Sequence, residues 1–180
     1  MIFWGWSRRF VRLGRAIPIW VRRQKCRPPN KSHVINPAFV LARRLDPVEL
    51  IGPSLLRGNQ QGWGSRRLAL ALDLPHTTVR DWRRRFRARA PTLAAGLAGV
   101  AVELGDGPPS LSPEPETAAF QGLGAAWGRT RERFGEAVVS LWRFAAAVTG
   151  TGMLTTTTTP LFFSASTSDW MAAKPTEEAK

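Results

Sequence analysis

The residues with the clearest chemical character in this sequence are six arginines between positions 80 and 89. They lie near the end of the stretch SRRLALALDLPHTTVRDWRRRFRARA, which begins at Ser65. A guanidinium group stays charged at physiological pH, and its planar N–H donors match phosphate oxygens and the major-groove edge of guanine. Such a segment predicts either contact with a polyanion or a highly solvated helix face. The elements that orient these arginines decide between the two interpretations.

A short helix is predicted from Ser65, its expected N-cap, to Leu72. Its inward side should contain Leu68 and Ala69, and the small Ala69 would let a second helix cross closely. The sequence DLPH then turns the chain. Asp73 stands where the backbone of such turns often needs a positive φ, which Asp tolerates better than most residues. This pattern is typical of the first helix and turn of a helix-turn-helix unit.

A second helix should follow, with Thr77 or Thr78 as its cap and an end at about Ala90, before Pro91. Val79 follows Ala69 by ten residues, the position at which a β-branched side chain fixes the second helix on the first. Apolar side chains at spacing i, i+3 and i+7 form the predicted buried stripe. They are Val79, Trp82 and Phe86.

With that stripe buried, the remaining side chains of the second helix point outwards. The N-terminal residues of such a helix contact base edges in the major groove. The predicted base-contacting residues are His76, Thr77, Thr78, Arg80, Asp81 and Arg84. The predicted phosphate-contacting residues, which set the register on the duplex, are Arg66, Arg67, Arg83, Arg85, Arg87 and Arg89. Because a carboxylate repels phosphate, Asp81 is better explained by a base contact or a cap.

The charge distribution favours a polyanionic partner. The chain has 180 residues, a formal net charge of +13 and a pI of about 11.7. Residues 1–90 carry +16 and residues 91–180 carry −3. A basic half before a mildly acidic half indicates a polyanion-binding module followed by something else. We therefore predict double-stranded DNA as the partner. The alternatives are a helical protein-interaction module with a basic face and a degenerate, non-functional copy.

The N-terminal segment should form a basic β-hairpin. Two aromatic and β-branched runs, FWGWSRRFVR and IPIWVRRQKC, flank a turn that Gly14 can supply. Aromatic side chains interleaved with arginines could stack single-stranded bases. We prefer the interpretation that the aromatics form the core of the hairpin, and binding to a membrane surface is a weaker third option. The expected core residues are Trp4, Trp6, Phe10 and Trp20.

Asn-Pro at position 36 and Asp-Pro at position 46 each place a cap residue before a proline, which predicts two helix starts. Pro53 should kink or shorten the second of these helices. A further helix is expected from about Ala118 to Val148, although its glycines could divide it into two. Its apolar face has no predicted partner, so this segment could pair two chains as a homodimer.

The sequence offers no arrangement of catalytic residues and no site for a cofactor or a metal. The candidates are two histidines, His33 and His76, and one cysteine, Cys26. The glycine-rich GNQQGWGSRR lacks the lysine of a phosphate-binding loop. No window reaches the roughly 18 apolar residues of a membrane span, and the N-terminal residues are in the wrong order for a signal peptide. We expect a non-enzymatic, cytoplasmic protein.

Four blocks carry a family resemblance: IPIWVRRQKCRPPNKSH, PAFVLARRLDPVELIG, RRLALALDLPHTTVRDWRRRFRARAP and WRFAAAVTGTGML. Together they resemble an uncharacterised actinobacterial family that combines an N-terminal zinc-ribbon-like segment with a helix-turn-helix and is often described as transposase-like. The resemblance implies a Cys-x-x-Cys before the Ser-His pair. This chain retains Cys26 but has Pro29 at the partner position, which implies a degenerate ribbon, since structural zinc needs four ligands.

The expected fold is mainly α, with a three-helical helix-turn-helix core, a small N-terminal β-hairpin and a C-terminal helical segment. The expected function is sequence-specific binding of double-stranded DNA, as a transcriptional regulator or as the DNA-recognition component of a transposase-like system. The expected boundaries are 1–34 for the hairpin, 36–91 for the DNA-binding domain, 92–116 for a linker, 117–149 for the C-terminal segment and 150–180 for a disordered tail.

Overall fold

The computed structural model describes residues 2–25, 32–105, 107–135 and 140–155. Three antiparallel strands open the chain: β1 (Ile2–Leu13), β2 (Arg15–Lys25) and β3 (Ser32–Ile35), in the order β1-β2-β3. Within these described ranges, five helices follow: α1 (Val48–Gln60), α2 (Ser65–Leu72), α3 (His76–Leu104), α4 (Pro115–Phe134) and α5 (Leu141–Val148). The protein is mainly α, with a small sheet, as the sequence predicted.

The predicted hairpin is confirmed, and Gly14 makes its turn with a φ of 74°. Val11 and Val21 point to one face of the sheet and are buried. The third strand, β3, was not predicted; it pairs with the end of β2. Cys26 lies outside the described residues, and of His33 only the backbone is described. The expected degenerate metal site therefore stays a prediction.

The expected aromatic core of the hairpin is wrong. Trp4, Trp6, Phe10 and Trp20 are all exposed, with 41–66% of their surface accessible. The side chains of a strand alternate between its two faces, and the rest of the chain covers the face that holds Val11 and Val21. Trp6, Phe10 and Trp20 lie on the opposite face, and Trp4 lies at the irregularity in the register between Phe3 and Gly5.

The helix expected at the Asn-Pro dipeptide is also wrong. Residues 36–47 form turns and an isolated β-bridge between Val40 and Pro47. This segment connects the sheet to the helices: the Arg12 amide donates to the Leu45 carbonyl at 2.7 Å, and Asn36 Nδ2 donates to Thr151 Oγ1 at 3.1 Å. Its backbone groups thus find partners outside any helix.

Both internal prolines were expected to limit helices, and neither ends one. Pro53 lies inside α1 and Pro91 inside α3, so residues 92–104, which were expected in a linker, are helical. Each proline removes one backbone hydrogen bond and is exposed, whereas the turns around it carry buried side chains, such as Ile51 and Leu55 in α1. Packing of those side chains outweighs the local cost.

The expected helix caps are wrong as well. Gly64, not Ser65, is the N-cap of α2, and α3 begins after Pro75 rather than after a threonine cap. Neither N-cap residue has a side chain that accepts a hydrogen bond from an amide in the first turn of its helix. A proline has no amide hydrogen to satisfy and presets φ near the start of a helix, so Pro75 can begin α3 without a hydroxyl cap.

One apolar core joins all five helices. Its longest seam lies between α3 and α4. A Cβ added at Gly122 of α4 would lie 3.3 Å from the Leu97 Cβ and 3.4 Å from the Ala94 carbonyl oxygen of α3. The rings of Phe86 and Phe120 stack with their centroids 4.8 Å apart. Further along, Trp142 of α5 rests on Gly52 of α1.

The apolar face of the C-terminal segment therefore has a partner within the chain. The segment is two helices, as its glycines allowed, and both pack on α1 or α3. The reason for expecting a homodimer there is thus removed, although dimerisation itself stays untested. Residues 150–155, which were expected in a disordered tail, are ordered, with Met153 and Leu154 buried. Residues 156–180 lie outside the described part of the chain.

Candidate nucleic-acid interface

The connection between α2 and α3 adopts the conformation that the sequence predicted. Asp73 has φ 51° and ψ 47°, in the left-handed region. Its amide donates to the Leu70 carbonyl at 3.3 Å, and the Leu74 amide donates to the Ala69 carbonyl at 3.0 Å, so the last turn of α2 is closed. Three residues, 73–75, are enough to reach the start of α3.

The predicted apolar stripe of α3 is confirmed. Val79 and Trp82 are 1% exposed and Phe86 is 3% exposed. Because an α-helix has 3.6 residues per turn, this orientation turns the opposite side of its first turns to solvent. That outward side carries Thr77, Arg80, Arg84 and Arg87, all of them exposed.

Asp81 is the centre of an ion-pair cluster. Its carboxylate accepts hydrogen bonds from Arg84 Nη2 at 2.7 Å, from Arg85 Nε at 2.8 Å and from Arg44 Nη1 at 2.9 Å. One carboxylate thus faces three guanidinium groups, and the cluster keeps a net positive charge. Asp81 does not cap α3; its carboxylate positions three arginines, and its predicted base contact stays a prediction.

Opposing effects act on the ionisation of this cluster. Burial alone would raise the pKa of Asp81, but hydrogen bonds from Arg84 and Arg85 and the charges of Arg85 and Arg44 lower that pKa below its usual value. Burial, assisted by the nearby charge of Arg85, lowers the pKa of Arg44. Asp81 is therefore ionised throughout the physiological range.

A cleft of about 330 Å³ lies where the start of α3 meets the loop before α1. Thr77, Thr78 and Asp81 line one side of it. Arginines line the other side: Arg12 of β1, together with Arg43 and Arg44 of the loop. Sequence reasoning missed these three, although only Leu45 separates the Arg43–Arg44 pair from the Asp-Pro dipeptide.

Asp46 lies at the base of the cleft. Its side chain is 3% exposed and lies 3.5 Å from Arg12 Nε. Burial raises the pKa of Asp46, and the charge of Arg12 offsets part of that rise. This carboxylate holds β1 against the loop. Arginines still outnumber carboxylates among the residues that line the cleft.

Several predicted phosphate contacts are engaged within the protein. Arg87 forms an ion pair with Glu116 of α4 at 2.7 Å, which raises the pKa of Arg87. Arg85 is held by Asp81, and Arg83 reaches toward Gly58 of α1. Arg89 is half-buried. Arg83, Arg85 and Arg89 are half-buried beside the outward side of α3, whereas Arg87 is exposed on it.

The arginines at the start of α2 are more accessible. Arg66 is exposed and forms no ion pair with any residue that the structure describes. Arg67 is also exposed and lies over the Trp63 ring, 4.0 Å from its centroid, with Arg57 5.5 Å from the same ring. Of the predicted base-contacting residues, Thr77, Arg80 and Arg84 are exposed, whereas His76 and Thr78 are half-buried.

No protein-family model, no curated protein and no solved structure matches the chain. The family resemblance stays a prediction. None of the helices among the described residues is both long and apolar enough to cross a membrane. Within residues 2–25, 32–105, 107–135 and 140–155, no three metal-ligating side chains come together.

Proposed function

We propose that the chain binds double-stranded DNA in a sequence-specific manner, through a helix-turn-helix formed by α1, α2 and α3. The observation that carries the proposal is the orientation of α3: the burial of Val79 and Trp82 turns Arg80 and Arg84 outward, directly after the left-handed turn at Asp73. An exposed helix of this kind fits the major groove, where arginine can donate two hydrogen bonds to guanine.

Thr77, Arg80 and Arg84 are the residues that this function assigns to base edges. Arg66 and Arg67 at the start of α2, and Arg43 beside the cleft, would contact phosphates on either side of the groove. Asp81 serves the interface indirectly, because its carboxylate fixes the guanidinium of Arg84. Such a protein would act in the cytoplasm, as a transcriptional regulator or as the DNA-recognition component of a transposase-like system.

The test uses the full chain, since α3 continues into its seam with α4. Fluorescence anisotropy would be measured with random duplex pools at several salt concentrations, and bound duplexes would be recovered and sequenced. We expect one motif to be enriched, and the double variant Arg80→Ala/Arg84→Ala to lose it. Each phosphate contact adds about 0.9 to the log–log salt slope.

The matched control is Arg133→Ala, which removes an exposed arginine at the far end of α4. It should keep both the motif and the affinity. Circular dichroism and thermal unfolding establish that each variant is folded. Steep salt dependence without an enriched motif, or an Arg80→Ala/Arg84→Ala variant that enriches the same motif, would overturn the proposal.

A further inference from the structure

A second surface lies on the outer face of the β-hairpin and takes no part in the interface of α3. Its aromatic side chains are unusually accessible for a folded domain: Phe3 is 50% exposed, Trp6 61%, Phe10 41% and Trp20 66%. Exposed apolar groups gathered on one face commonly mark an interaction site. We call this set the aromatic face: Phe3, Trp6, Phe10 and Trp20, with Arg8 and Arg22 between them.

The strand register alternates rings and cations across this face. Trp6 pairs with Arg22, and Arg8 pairs with Trp20, in successive same-face positions of β1 and β2. Each tryptophan therefore stands directly opposite an arginine, and the two tryptophans lie diagonally across the hairpin. The arrangement comes from backbone pairing, so it is present before any partner binds.

The arginines are held close to the rings. The guanidinium carbon of Arg22 is 5.2 Å from the Phe3 ring centroid, and that of Arg8 is 5.2 Å from the Phe10 centroid. The rings of Phe3 and Trp6 meet edge to face at 5.9 Å. These contacts restrict the side chains, so less conformational entropy is lost when they bind a ligand.

A depression of about 370 Å³ lies between Trp6 and Trp20. Its lining consists of the two indole side chains and is mainly apolar. A planar aromatic group is the ligand that such a pair accommodates. The charge of the hairpin itself has one sign only, because the chain has no acidic residue before Asp46 and nine basic residues in its first 35 positions.

We propose that the aromatic face binds single-stranded nucleic acid, with a base between Trp6 and Trp20 and with Arg8 and Arg22 on the neighbouring phosphates. A single strand alternates a flat apolar base with an anionic phosphate, which matches the alternation of rings and guanidiniums. Bases in a duplex are already stacked on each other, so a duplex cannot use these rings.

The same alternation disfavours an anionic bilayer. Membrane-surface elements gather apolar groups on one side and cations on the other, so that the apolar side can enter the lipid. Here the guanidiniums lie among the rings, and burial of the rings in lipid would bury the charges with them.

The test measures binding of fluorescein-labelled oligo(dT) and oligo(U) to the full chain by anisotropy. The variant Trp6→Ala/Trp20→Ala should bind about 5-fold to 100-fold more weakly, because each lost stacking contact weakens a bound base by that order. Trp20→Phe keeps a ring and should retain most of the affinity. The matched control Phe134→Ala removes an exposed ring from α4 and should have no effect. A comparison of the two probes distinguishes DNA from RNA.

Two reciprocal measurements separate this surface from the duplex site. Arg80→Ala/Arg84→Ala should keep oligonucleotide affinity, and Trp6→Ala/Trp20→Ala should keep duplex affinity, so that either proposal can fail alone. Equal oligonucleotide binding by wild type and Trp6→Ala/Trp20→Ala would overturn the assignment. So would binding to phosphatidylserine vesicles without binding to oligonucleotides. Self-association in sedimentation velocity that Trp6→Ala/Trp20→Ala abolishes, again without oligonucleotide binding, would overturn it too.

Discussion

Arg44 donates from Nη1 to Oδ2 of Asp81 at 2.9 Å, and this contact joins the loop before α1 to the start of α3. The Arg44 side chain is only 16% exposed, whereas that of Arg84 is 72% exposed. Water therefore solvates the Arg44 charge less, and Arg44 relies more on Asp81 to stabilise that charge. The contact has two consequences of opposite sign. It stabilises the fold at the start of α3, and it neutralises part of the positive charge of the proposed DNA-binding surface.

Asp81→Asn separates these two consequences. The free energy of unfolding should fall by about 1 kcal/mol, because the partly buried Arg44 guanidinium would then donate to a neutral amide oxygen instead of a carboxylate. The variant should also bind random duplex more tightly, with a log–log salt slope steeper by about 1, because one net positive charge is added. Urea unfolding and anisotropy check the two effects. Weaker binding of random duplex by a folded Asp81→Asn protein would contradict the charge argument.

The two aspartates near the cleft should give opposite pH dependences. The pKa of Asp81 is lowered in the folded state, so its stabilising contribution is complete above pH 3.8 and is lost as the pH falls through its folded pKa. The pKa of Asp46 is raised, so its ionisation costs stability as the pH rises above 3.8 toward its folded pKa.

The measurement is urea unfolding of the wild type, Asp81→Asn and Asp46→Asn from pH 3 to pH 7. The free energy of unfolding of Asp81→Asn should approach that of the wild type as the pH falls below 3.8. Relative to wild type, Asp46→Asn should gain stability as the pH rises above 3.8, until wild-type Asp46 is fully ionised. Parallel pH curves for all three proteins would contradict both assignments.

Local patterns predicted the parts of the fold whose partners are near in sequence. The stripe from Val79 to Phe86, the left-handed Asp73 and the turn at Gly14 all follow from spacing or backbone preference within a few residues. The same reasoning oriented the arginines of α3, and so predicted that Arg80 and Arg84 are exposed.

Long-range contacts were the part that the sequence could not supply. Arg44 and Asp81 are 37 residues apart, and nothing in either segment indicates the other. The prediction that Pro91 ends α3 followed a local rule, whereas packing on α4 decides the outcome. For the hairpin, alternation assigned Ile17 and Val21 to one face and Trp20 to the other, but it could not say which face meets the loop at residues 36–47.

Gly52 is required by Trp142. A Cβ added at Gly52 would collide with ring atoms of the half-buried Trp142, so the rigid indole would have to shift. Gly52→Ala should therefore cost about 1–3 kcal/mol through overpacking, less the gain of up to about 1 kcal/mol in helix propensity. Gly99→Ala in α3 is the matched control: its Cβ meets nothing within 4 Å, so it should be stabilising by about 0.5–1 kcal/mol. Urea unfolding would measure both, and equal effects would contradict the close packing of Trp142 on Gly52.

Pro91 divides α3 into two parts with different tasks. Residues before it carry the outward arginines, and residues after it, such as Leu93 and Leu97, pack in the core. Pro91 is exposed and has no amide to donate to the Arg87 carbonyl, so one backbone hydrogen bond is missing on the solvent side of the helix. Pro91→Ala supplies that donor with no change in the buried side chains.

Pro91→Ala should stabilise the protein by about 1–2 kcal/mol, less than the full 3 kcal/mol of an ideal helix, because proline also restricts the unfolded chain. Hydrogen exchange should show a protected amide at position 91. Pro53→Ala, at the equivalent exposed position of α1, should act in the same direction. If Pro91→Ala lowers the melting temperature, then the seam between α3 and α4 requires the bend that proline introduces, and duplex affinity should fall with it.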